Sequence, residues 1–173
     1  MDITKKISNL FLLMLLMLLL TLTAACSNKK SVEAYFCHQE DCGGKLGDEI
    51  RKANENVYFM SYTLTNGRVA SELIIKSNEG VEVKGIIESM NINGKGSKYE
   101  LLRFQGIDVK KDNSSGLMHH KVFIIDKKLV VTGSFNPTEA ADEKNDDNMV
   151  IIRDEFIAEE YLKEFNRLYF SGT

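Results

Sequence analysis

Two short runs, Lys121–Ile125 and Leu129–Thr132, carry Val, Ile, Leu and Phe at both odd and even positions. A strand points successive side chains to opposite faces, so strands apolar at both parities are covered on both sides. Such strands belong at the centre of a sheet, and the rest of the chain must supply the cover. The upstream pattern does so by alternating strand and helix. Val32–Cys37, Val57–Leu64, Val81–Glu88 and Ile107–Lys111 read as strands. Lys45–Asn54, Arg68–Ser77 and Tyr99–Phe104 read as helices between them. Met149–Arg153 is a late strand, and Glu155–Phe170 a long amphipathic helix. The expected fold class is therefore α/β, a central sheet with helices on both faces.

Ahead of this domain, Lys5 and Lys6 precede an unbroken apolar run from Leu10 to Leu20, followed by Thr23, Ala24 and Ala25. A basic start, an apolar core and a small-residue zone make a secretory signal peptide over residues 1–25. Leu22 to Cys26 also resembles a bacterial lipobox, which would make Cys26 a lipidated N-terminus tethered to a membrane through residues 26–31. Plain secretion is the alternative. Either way the protein is expected outside the cytoplasm. Two cysteines then remain, Cys37 and Cys42, readable as a disulfide, as free thiols, or with His38 as part of a metal site.

Of 22 basic and 25 acidic side chains, Lys5, Lys6 and Asp2 lie in the leader, which leaves the remainder at a net charge of −4. A nucleic-acid binder usually shows a basic excess. Any recognition of phosphate must therefore be local.

The local candidate is Met118–Thr138. With Lys127-Lys128 as a two-residue hairpin loop, Asp126 would pair with Leu129. Lys121 would then face Ser134, and His119 would face Asn136, with Phe123, Ile125 and Val130 sharing one face and Val122, Ile124 and Val131 the other. Four polar side chains would converge at the end of an otherwise apolar hairpin, where unpartnered polar groups are costly. Parity sends His120 the other way.

His119-x-Lys121-x4-Asp126-x6-Gly133-Ser134-x-Asn136 resembles the HKD motif of the phospholipase D superfamily, spacing included. The pattern occurs once, as in the small nuclease-type members, and the resemblance covers residues 32–173. It implies a phospholipase D-like domain with a mixed sheet, working as a homodimer. It also implies that His119 attacks phosphorus to form a covalent phosphohistidine. Lys121, Asn136 and Ser134 would bind the phosphate oxygens, and Asp126 would be structural. The nuclease-type members carry a Glu-Asn pair whose carboxylate orients the histidine; the matching residues here are Asp147 and Asn148. Because a second group must protonate the leaving oxygen, the partner subunit's copy of the motif would supply it. No metal and no cofactor is expected.

The resulting expectation is a metal-independent nuclease acting on DNA or RNA outside the cytoplasm. A phospholipase D cleaving lipid head groups, next to its membrane, is the second reading. An inactive binding or scaffold protein is the third.

Overall fold

The structure, a computed structural model, describes Ser31–Ser171 together with Ile7 and Met14, both helical and exposed. The leader reading of residues 1–25, and lipidation at Cys26, fall outside the described residues apart from those two positions. In chain order the elements are β1 (Val32–Phe36), α1 (Cys37–Glu40), α2 (Cys42–Arg51), β2 (Asn56–Ser61), α3 (Gly67–Asn78), β3 (Glu82–Ile87), a 3-10 turn (Ser89–Asn91), α4 (Tyr99–Phe104), β4 (Asp108–Lys111), β5 (Lys121–Ile125), β6 (Leu129–Gly133), α5 (Glu139–Glu143), β7 (Asn148–Arg153) and α6 (Glu155–Phe170). Helices α1 and α5 are too short for the periodicity that marked the others.

The seven strands form one sheet in the order β1-β7-β6-β5-β2-β3-β4. Strands β2, β3 and β4 pair in parallel and the remaining neighbours antiparallel, so the sheet is mixed. All residues of β2 and β5 are buried, the burial that their two-faced apolar pattern requires.

One face of the sheet packs Val57, Phe59, Phe123, Ile125 and Val131 against Leu46 and Ile50 of α2, Leu73 of α3 and Leu102 of α4. The opposite face packs Tyr58, Met60, Val122, Ile124 and Val130 against Ala158, Phe165, Leu168 and Tyr169 of α6. Helix α6 presents that stripe because Ile157, Tyr161, Phe165 and Leu168 recur at three- and four-residue spacing. Its entry is fixed by Asp154, whose carboxylate accepts the amide of Ile157. Phe165 stacks on Tyr58 at 5.1 Å between centroids. Each such fully buried aliphatic or aromatic side chain contributes about 1.5–3 kcal/mol by leaving water.

The β5–β6 hairpin departs from its expected register by one residue. Ile125, not Asp126, pairs with Leu129, Ile124 pairs with Val130, and Phe123 with Val131. The loop is therefore a three-residue turn, Asp126–Lys128, with Asp126 and Lys127 both at positive φ. Lys-Lys is poor chemistry for a two-residue turn, which favours glycine and asparagine. The longer turn is held instead by the Asp126 carboxylate, which accepts the amides of Asn54, Glu55 and Asn56. The shift exchanges the places of Val130 and Val131: Val131 lies with Phe123 and Ile125, and Val130 with Val122 and Ile124. Carried two residues further, the same register sets Gly133, rather than Ser134, across from Lys121.

Strand direction determines where the functional residues gather. Strands β1, β2, β3, β4 and β6 end at the edge of the sheet where β5 and β7 begin. Residues just outside those termini therefore share one rim: Cys37, Tyr62, Glu88, His119, Ser134 and Asp147. Asp126 lies at the opposite rim.

Candidate active site

His119 is exposed two residues before Lys121, the first residue of β5, which is buried to 9% exposure. The Lys121 ammonium donates to the His119 carbonyl at 3.0 Å and lies 3.3 Å from each imidazole nitrogen. Burial pulls the Lys121 pKa below the usual lysine range, and the negative charge of Asp147 pulls it partly back up. Among the described residues no carboxylate comes within ion-pair distance of this ammonium, which leaves its charge available to an anion.

Tyr62, one residue past the end of β2, holds the pair from the side. Its ring meets the His119 imidazole edge-on, 4.5 Å between centroids, and the Lys121 ammonium sits 5.0 Å from the centre of the same ring. The Tyr62 amide donates to the His120 carbonyl at 2.8 Å, which continues the β2–β5 ladder into the histidine segment. Glu88, 3% exposed, secures the other side: its carboxylate accepts the Met118 amide at 2.8 Å and the Met90 amide at 3.3 Å. Neither Tyr62 nor Glu88 was singled out by the motif, because each joins the site from a different strand end. His120 turns away and meets Glu164 of α6 at 3.3 Å.

Ser134 reaches the site by another route than direct opposition to Lys121. Gly133 has φ +147°, and a Cβ there would sit 2.3 Å from the Asn148 carbonyl oxygen, so only glycine fits. Immediately after it, the amides of Ser134 and Phe135 both donate to that same Asn148 carbonyl, two residues opposing one as in a β-bulge. Phe135 drops into the core while Ser134 stays exposed. The Ser134 hydroxyl then donates to the Asp147 carboxylate at 2.7 Å and accepts the Asn148 amide at 3.0 Å.

Asp147 is thus tied to Ser134, and it acts on Lys121 through its charge. Asn136 follows on the loop whose Pro137 carbonyl accepts the amides of Thr65 and Asn66. The Asn136 side-chain oxygen is buried without a hydrogen-bond partner. Pairing of Asn136 with His119 across a regular ladder, as the two-residue loop required, does not occur, because β6 ends at Gly133.

A cleft of about 370 Å³ runs from His119 past Leu117 and Met118 to Glu164 and Arg167. Leu117, in the wall of this cleft, is 55% exposed. Behind the rim, Cys37 and Cys42 are joined by a disulfide, which removes both sulfurs from any metal-ligand set. His38 instead approaches the Glu143 carbonyl at 3.1 Å.

The arrangement offers an exposed imidazole, a buried ammonium against it, and a hydroxyl–carboxylate pair within electrostatic reach. Residues 46–169 match the family described as cardiolipin synthase, PLD-like domain. A protein named phospholipase D from Rickettsia conorii is 37% identical over 138 residues, 80% of this chain and 69% of that protein. The mitochondrial cardiolipin hydrolase of Xenopus laevis is 33% identical over 132 residues, 76% of this chain and 63% of that protein. Among solved structures, the phospholipase D family member Nuc from Salmonella typhimurium superposes with a TM-score of 0.76 at 28% identity, covering 80% of this chain and 93% of that one. NucT from Helicobacter pylori shares the fold, with a TM-score of 0.73 at 24% identity over 81% of this chain and 96% of that one.

Proposed function

This chain belongs to the cardiolipin synthase, PLD-like domain family, and from that premise we infer that it hydrolyses phosphodiesters without a metal ion, using His119 as nucleophile. The enzyme class is that of phosphodiester hydrolases of the phospholipase D superfamily. The observation that carries the mechanism is the Lys121 ammonium held 3.3 Å from both nitrogens of the exposed His119 imidazole.

In the first step a His119 ring nitrogen attacks phosphorus, the phosphorus–oxygen bond to the leaving group breaks, and an acid donates a proton to the departing oxygen. Lys121 stabilises the charge on the non-bridging oxygens, and its partial desolvation strengthens that interaction. Asn136 adds a hydrogen bond from its side-chain amide, and the Ser134 hydroxyl, which donates to Asp147, holds that carboxylate in place. In the second step the same acid, now a base, takes a proton from water as the water attacks phosphorus, and His119 is released. The chain carries the motif once, so that acid and base is His119 of the partner subunit in a two-fold dimer. Asp147 orients the site through Ser134 and supports the charge on Lys121. Asp126, at the far rim, anchors the hairpin turn.

The first substrate reading is a nucleic acid, hydrolysed outside the cytoplasm after export, with or without a lipid anchor at Cys26. The single copy of the motif, as in the small nuclease-type members that the sequence resembles, supports it. Leu117, exposed in the cleft beside His119, favours a phospholipid as the second reading, and the relatives named phospholipase D point the same way. A substrate panel in EDTA separates the two: single-stranded DNA, duplex DNA, RNA and phosphatidylcholine vesicles offered to residues 27–173. Cleavage of a nucleic acid with intact phosphatidylcholine supports the nuclease, and the converse supports the phospholipase. Activity that EDTA abolishes contradicts the mechanism.

A further inference from the structure

We propose that the Cys37–Cys42 disulfide is a positioning device for Asp147, so that the hydrolase reaches full turnover only when this pair is oxidised. The inference rests on the orienting role given to Asp147 above.

Cys37 follows directly on Phe36, the residue of β1 that pairs with Asn148. Its amide donates to the Asp147 carbonyl at 3.0 Å. Its sulfur is bonded to Cys42, the first residue of α2, and both cysteines are buried, at 1% and 0% exposure. The turn closed by this bridge and the residue just after it each touch the segment before β7 once more. His38 meets the Glu143 carbonyl at 3.1 Å, and the Gly43 amide donates to the Asp142 carboxylate at 3.0 Å. Residues 37–43 therefore grip residues 142–147 at three points. The point at Asp147 is the backbone of the residue whose carboxylate receives the Ser134 hydroxyl and acts on Lys121.

A bridge across a sequence separation of five closes a small loop and constrains the unfolded chain less than a long-range bridge would. Its effect is therefore local, on what the turn holds, more than global. Neither cysteine touches the reacting groups, so both are positioning residues. The bridge forms by thiol–disulfide exchange: the two thiols give up two protons and two electrons to an oxidised dithiol protein or a small disulfide, which leaves as two thiols. In a reducing compartment the pair stays as thiols, the grip on Asp147 loosens, and turnover is held down.

The test compares oxidised full-length protein with protein reduced by a phosphine during brief exposure to dilute urea and returned to buffer. Thiol content is read by mass and folding by near-ultraviolet circular dichroism. Turnover of bis(p-nitrophenyl) phosphate is expected to fall about tenfold on reduction, the rate equivalent of one hydrogen bond. KM should stay within about twofold, since substrate contacts are not removed, and reoxidation should restore the rate. Asp147→Asn should be slowed by a similar factor and should lose nothing more on reduction.

An unchanged kcat in the reduced wild-type protein overturns the inference alone. So does an equal loss on reduction in wild type and Asp147→Asn, which would mark a general structural staple. An Asp147→Asn enzyme as fast as wild type overturns both the inference and the orienting role beneath it. If the reduced protein fails to refold, Cys37→Ser/Cys42→Ser, isolated folded, is held to the same outcomes.

Discussion

The ring of Tyr62 packs edge-on against the imidazole of His119, 4.5 Å between centroids at an interplanar angle of 60°. The contact limits the directions in which an otherwise exposed side chain can point. Edge-to-face aromatic pairs contribute about 0.5–1.5 kcal/mol beyond area burial. Tyr62→Ala is therefore expected to lower kcat about 2- to 10-fold, while Tyr62→Phe, which keeps the ring, stays near wild type. Steady-state kinetics on bis(p-nitrophenyl) phosphate checks both, and equal losses in the two variants would assign the effect to the hydroxyl instead.

Lys121 is expected to be irreplaceable. Lys121→Met keeps the length of the side chain and its burial but removes the charge, and kcat should fall about 10²- to 10³-fold, the cost of removing one donor from a preorganised anion site. Lys121→Arg should rescue little, since a wider planar head must fit where a buried ammonium sits against His119 and Tyr62. Thermal unfolding would confirm that both variants fold.

Asp147 sets a pH dependence with a definite sign. Burial already depresses the Lys121 pKa, and the Asp147 charge opposes that depression. Asp147→Asn removes the opposition, so Lys121 loses its proton at lower pH than in wild type. The alkaline limb of the kcat profile is expected to move to lower pH. A limb that stays in place, or moves upward, contradicts the coupling between these residues.

Asp126 is predicted to matter for stability and not for chemistry. Although burial alone would raise its pKa, the amides of Glu55, Asn56 and Asn54 together bring it below the usual carboxyl value. A depressed carboxyl contributes stability that is present above the unfolded pKa of about 3.9 and lost as pH falls toward the folded value. Asp126→Ala should cost about 2–3 kcal/mol near neutral pH, since it strips a charged acceptor from three donors. The folded variant should keep its kcat. The gap between variant and wild type should close on acidification below about pH 4, measured by urea unfolding at a series of pH values.

The sheet was legible because burial on both faces writes itself into β5 and β6 as uninterrupted apolar runs, and α6 was legible from its three- and four-residue spacing. The hairpin register was not. It depends on a turn in which Asp126 and Lys127 take positive φ, a conformation stabilised by amides from residues 54–56 that lie about 70 positions away in sequence. The path of Ser134 was hidden for a similar reason: the double use of the Asn148 carbonyl at the bulge is tertiary, and Gly133 was the only sign of it. Tyr62 and Glu88 carry no local signature, since strand ends meet only once the strand order is known. The motif named a histidine and a lysine two apart, and their contact follows from their position at the start of one strand.

The most direct test is to trap the bond to His119. Enzyme mixed with a slowly hydrolysed phosphodiester, quenched under alkaline conditions that preserve phosphoramidates, and digested for mass spectrometry should yield one adducted peptide, in which His119 carries the phosphoryl group together with the one ester that the first step leaves on it. Labelling should be lost in His119→Asn and kept in His120→Asn. An adduct on another residue, or turnover that persists in His119→Asn, would contradict the assignment of this imidazole as the nucleophile.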